Sequence, residues 1–148
     1  MKRLLLPIVI ALVLIVGGER LLDPGAPAPA PAPENASRAP DAIARAYRDR
    51  AHDVAVSGTG EVQAVLADDT RGSRHQRFIL RLASGQTILI AHNIDIAPRL
   101  PRLATGEHVR FKGVYEFNDK GGVVHWTHHD PQARHEGGWL EYRGQRYE

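Results

Sequence analysis

From Val54 onward apolar residues recur at every second position, and this two-residue period constrains the fold more than any other feature of the chain. Val54, Val56, Gly58, Gly60, Val62, Ala64 and Leu66 alternate with Ser57, Thr59, Glu61 and Gln63. A helix, with its 3.6-residue period, scatters such a set around its axis, whereas a half-buried strand puts it on one face. Gly58 and Gly60 carry no side chain and predict a sharp bend or bulge in this strand. Asp68-Asp69-Thr70-Arg71-Gly72 then ends it with turn chemistry.

The pattern repeats. Gln76, Phe78, Leu80 and Leu82 form a second alternating set, with His75 and Arg77 on the less apolar face. Ser84-Gly85 turns the chain into a third strand, Thr87 to His92. Val109, Phe111, Gly113, Tyr115 and Phe117 predict a fourth strand, Val123 to Thr127 a fifth, and Trp139 to Tyr147 a final hairpin around Arg143-Gly144. Ala97 to Gly106, with two prolines, reads as a connecting loop or one helical turn. Five strands, a bent first strand and an interruption before the fourth predict a mainly β fold. Its expected form is a small five-stranded OB-like Greek-key barrel. An open sandwich of similar strands is the alternative, but closure removes exposed edges.

The first forty residues have a different character. Met1-Lys2-Arg3 is a short positive start, and Leu4 to Val16 is an apolar run. That run fits the core of a signal peptide and falls short of the roughly 18–20 residues a spanning helix needs. Residues 1–18 are therefore expected to be a signal peptide, with retention as an inner-membrane anchor through residues 4–18 as the rival. Export to the periplasm or the extracellular space follows. Residues 19–40 form an Ala/Pro-rich linker that favours polyproline II, a semi-rigid spacer. Residues 41–53 predict a short helix with Ile43, Ala44 and Tyr47 on one face, leaving residues 54–148 as the β domain.

Charge and composition exclude several functions. Nineteen Lys and Arg against seventeen Asp and Glu give a net +2, which Lys2 and Arg3 alone account for. A chain so nearly neutral lacks the footprint of a duplex nucleic-acid binder. With no cysteine there is no disulfide framework, thiolate nucleophile or iron–sulfur cluster.

Histidine carries the candidate chemistry. Seven of the eight histidines lie between His75 and His135, with the densest group in His125-Trp126-Thr127-His128-His129-Asp130-Pro131. Neutral imidazole is the commonest metal ligand, so His92, His125, His128, His129, Asp130 and His135 are candidate ligands for a divalent metal such as zinc. A network of histidines hydrogen-bonded to carbonyls and carboxylates is the competing reading. His52 and His108 are assigned no function. His75, Arg77 and Asp95 are candidate ligand-binding residues, since Arg77, with Arg81 on the same face, suits bidentate contact with an anion such as phosphate. Asp68 and Asp69 read either as carboxylates for chemistry or, more simply, as turn residues.

The blocks HQRF (His75–Phe78), HNID (His92–Asp95), GGVVHWTHHDP (Gly121–Pro131) and HEGGW (His135–Trp139) resemble those of an uncharacterised domain-of-unknown-function family of small exported bacterial proteins. The resemblance implies export and a small β domain, and no activity. Ala67-Asp68-Asp69-Thr70 and Asn93-Ile94-Asp95-Ile96-Ala97-Pro98 are also weakly similar to turns of thermonuclease-type OB-fold nucleases. Arg99 departs from that pattern, standing where an acidic residue is expected. Three functions are therefore expected in turn: a binding module for a small ligand or an envelope partner, with a His-rich metal site; a metal-assisted phosphoester hydrolase; and a purely structural envelope protein.

Overall fold

A computed structural model describes residues 39–133 and 136–148. The proposed signal peptide, nearly all of the linker, Arg134 and the candidate ligand His135 lie outside the described residues. One helix, α1 (Ala39–Arg48), precedes seven strands: β1 (Val54–Val65), β2 (His75–Leu82), β3 (Thr87–Asn93), β4 (His108–Glu116), β5 (Val123–His125), β6 (Trp139–Tyr142) and β7 (Gln145–Tyr147). Among the described residues no helix is long and apolar enough to cross a membrane.

Two things distinguish a barrel from an open sandwich here. The strand order is β1-β2-β3-β5-β4-β6-β7, and β1 also pairs with β4. The ring β1-β2-β3-β5-β4 therefore closes, as the sequence pattern predicts, and the sandwich alternative falls. β1 serves both halves: Val54–Glu61 pair with β4, and Gly60–Val65 pair with β2. At Gly60, where the two pairings overlap, a Cβ would come within 2.9 Å of the Leu80 Cβ. The bulge itself falls between Val62 and Ala64, not at the glycines. It shifts the register by one residue, placing Ala64 opposite Ile79 and Val65 opposite Phe78; here Ala64 and Leu66 are half-buried and Val65 is exposed.

The core is the set of alternating side chains that closure turns inward: Val56, Val62, Phe78, Leu80, Ile88, Ile90, Val109, Phe111, Tyr115 and Val124. The parallel β3–β5 seam is the thinnest, with Leu89 opposite Val123 and Ile90 opposite Val124. β5 ends at His125, two residues before the expected end at Thr127, because Trp126 adopts φ 52, which takes the backbone out of the extended region. Alongside β5, the hairpin β6–β7 pairs with Val109–Lys112 of β4 and adds Leu140, Tyr142 and Tyr147 to the core. Arg143 and Gly144 make its two-residue turn at φ 51 and 74, the left-handed pair a tight hairpin needs.

α1 spans Ala39–Arg48 rather than residues 41–53. Ile43 and Ala46 are buried on the core, with Tyr47 half-buried beside them, a spacing that lies on one helical face. The helix stops in a Schellman motif. Ala51 N–H donates to Ala46 O (2.8 Å) and Arg50 N–H to Tyr47 O (3.2 Å), around Arg50 at φ 50.

Candidate functional site at the β1–β2 rim

The start of β2 and the end of β3 are paired, His75 opposite Asn93 and Gln76 opposite His92. Parity sends Gln76 and His92 inward and His75, Arg77 and Asn93 outward, so the inner and outer sets do different work.

The inner set ties loops to the barrel. Gln76 is buried and holds Leu100 by both ends of its amide, Nε2 donating to Leu100 O (3.1 Å) and Oε1 accepting from Leu100 N–H (2.9 Å). His92 is fully buried. Its Nε2 lies 3.0 Å from Pro98 O and its Nδ1 2.9 Å from Thr127 Oγ1. A carbonyl only accepts, so Nε2 carries the proton and Nδ1 accepts from the Thr127 hydroxyl. Desolvation favours the neutral ring and lowers its pKa from 6.5 to about 4. His128 is also buried, with Nδ1 2.7 Å from His129 O. Asp130 is buried and accepts from Gln132 N–H (2.9 Å).

Among the described residues, which do not include His135, these positions do not come together as a metal centre. Both nitrogens of His92 are engaged by protein groups, so it offers no lone pair to a metal. His125 on β5 lies near Glu116, and His129 is exposed. Among the described residues no group of three or more His, Asp or Glu side chains is placed to hold a metal ion.

The outer set does converge. The β1–β2 connection and the end of β3 are laced together by Asp69 and His75, which exchange backbone hydrogen bonds at 3.0 Å, and by Ile94 N–H to Arg74 O (2.9 Å). His75, Arg77 and Asp95 therefore meet at one rim with Asp68 and Asp69. His75 Nδ1 donates to Ser73 O (2.8 Å), which leaves the lone pair of the neutral ring on Nε2. Asp95 accepts from Arg74 N–H (2.8 Å) and Arg74 Nε (2.7 Å), and these bonds hold its carboxyl below the usual range. Asp69 is likewise lowered, chiefly by the backbone N–H of Arg71. Arg99 bonds Asp68, so the residue that departs from the nuclease turn neutralises a carboxylate of the other turn.

The chain belongs to a known family. Residues 31–148 match the one described as "Protein of unknown function (DUF3465)". The match spans every described element of this DUF3465 member, rim included. No curated protein matches the chain.

Among the described residues one cation stands apart at the DUF3465 rim. Arg74 pairs with Asp95 at 2.7 Å, Arg81 with Glu61 at 3.6 Å, Arg71 with Asp69 at 3.8 Å, and Arg99 with Asp68. Arg77 is half-buried, and its Nε donates to Ala67 O (3.0 Å). Among the described residues no carboxylate lies within ion-pair distance of it. The sequence reading missed a second grouping, around His52. Its Nδ1 lies 2.6 Å from Glu116 Oε2, a contact across 64 residues that no local pattern signals.

Proposed function

We propose that this protein is an exported binding module whose rim takes an anionic group through Arg77 and His75. The observation that carries the reading is the half-buried Arg77, which among the described residues has no carboxylate partner while the neighbouring arginines each have one. A guanidinium fixed at Nε by a backbone carbonyl keeps two terminal nitrogens in a planar fork, the geometry that grips a phosphate or carboxylate. His75 stands two residues away on the same face and adds a ring nitrogen. Fold alone assigns no ligand, so the chemistry of these two side chains carries the reading. Export rests on Met1–Val16, and sequencing the N-terminus of the mature protein tests it.

Inorganic phosphate is the first probe. Titrated into isotope-labelled protein, it shifts the backbone amides of residues 67–69, 75–77 and 91–93. Arg77→Ala removes those shifts while lowering the melting temperature by no more than about 2–4 °C, since the side chain lies on the outward face. Shifts spread evenly over the surface, or unchanged in Arg77→Ala, overturn the reading.

A further inference from the structure

The outward face of the barrel wall beside Arg77 is apolar, and the strand registers show how far that character runs. Ala64 of β1 lies opposite Ile79 of β2, Ile79 opposite Leu89 of β3, and Leu89 opposite Val123 of β5. Residues paired across strands share a face of the sheet. These four side chains therefore form one row over four strands, about 14 Å from end to end at the usual strand spacing. Parity puts the row outside the barrel: the intervening Leu80, Ile90 and Val124 are buried in the core, whereas all four members of the row are half-buried. Core packing gives no reason for this outer row to be apolar, because the solvated face of such a strand ordinarily carries polar residues.

The row adjoins the anion site. Arg77 stands two residues before Ile79 on the same face, about 7 Å away along β2, and Ala91 lies across from it. On the far side, Arg81 is opposite Thr87 and pairs with Glu61 at 3.6 Å, so the apolar strip is bounded there by a neutralised charge. Among the described residues Arg77 is the cation on this face with no carboxylate partner. We infer that the ligand of this site is an amphiphilic anion, a carboxylate gripped by the Arg77 fork with its acyl chain lying over Ala91, Ile79, Leu89 and Val123. This rests on the reading of Arg77 as an anion site and names the class of ligand for it. The open cation at one end and the closed ion pair at the other give the head group one seat and the chain one direction. Each methylene removed from water on the row adds affinity that a bare anion lacks.

The test titrates acetate, octanoate and octanol into the isotope-labelled full chain. Octanoate binds at least about 10-fold more tightly than acetate, since even partial burial of its added methylenes exceeds that gain. It also shifts the amides of residues 79, 89 and 123 along with those of 75–77. Ile79→Thr and Leu89→Thr, which suit a strand, each cut the advantage to below about 3-fold. They lie on different strands, so either serves if the other melts early. Arg77→Ala abolishes the octanoate shifts, and octanol does not saturate. Octanoate binding no tighter than acetate, an unchanged advantage in both threonine variants, or octanol binding as well as octanoate overturns the assignment. So does sedimentation showing a dimer that Ile79→Thr dissolves, which gives the row to a second copy. Phosphate bound at Arg77 with no advantage for octanoate defeats this inference alone, whereas absence of the phosphate shifts defeats the reading beneath it.

Discussion

At the scale of single residues, His92 shows how a side chain that stands out in the sequence takes its partners from distant parts of the chain. Its density of neighbouring histidines marks it as a ligand, but its place in the alternation turns it into the core. There Pro98 O and Thr127 Oγ1 take both ring nitrogens. What faces a ring is a property of contacts 6 and 35 residues away, which spacing along the chain does not reveal. The buried ring has to stay neutral, and this fixes a pH dependence. Its pKa lies near 4 folded against an ordinary 6.5, so the folded state binds fewer protons between those values. Its contribution is complete above pH 6.5 and falls as pH drops toward 4, by about 3 kcal/mol in all. Urea unfolding at pH 7, 5.5 and 4.5 should show this loss. His92→Ala should cost about 2–4 kcal/mol at pH 7 and flatten the slope. Arg77 illustrates the reverse case: its type and face are legible in the sequence, but its lack of a carboxylate partner among the described residues appears only once the neighbouring arginines are matched to theirs.

At the scale of elements, existence is read well and boundaries poorly, for identifiable reasons. α1 ends at Arg48 because Arg50 takes the left-handed position where glycine is the usual signal. β5 ends at His125 because Trp126, not a glycine or proline, leaves the extended region. The β1 bulge sits between Val62 and Ala64 rather than at a glycine. Each break is made by a residue whose type does not announce it. The glycines instead mark crowding. At Gly138 a Cβ would meet Trp126 O at 2.0 Å and Lys112 O at 2.6 Å, both backbone atoms. Gly138→Ala should therefore push β6 off β4 and destabilise the fold by about 3 kcal/mol. Gly144 has open space but φ 74, so Gly144→Ala should cost only about 1–2 kcal/mol, the strain of one left-handed residue. Thermal melts of the pair separate steric from conformational cost.

At the scale of the whole molecule, closure is legible because alternating runs of this length cannot bury one face in an open sheet without leaving long edges. The part played by the C-terminal hairpin is less so: it builds wall against β4 where β5 stops, through pairings from Val109–Tyr142 to Lys112–Trp139. The seams are unequal. β1 and β4 share eight register pairs, β3 and β5 only two. Native-state hydrogen exchange should find the amides of Leu89 and Val124 opening before those of β1, at a lower free energy, and His92→Ala should widen that gap because Thr127 anchors the chain just beyond β5. β1 has a consequence of its own. Since one continuous backbone belongs to both halves of the ring, neither half is a separable unit. Cutting the chain between Leu82 and Thr87 should yield two pieces that are each unstructured alone and regain shape only when mixed.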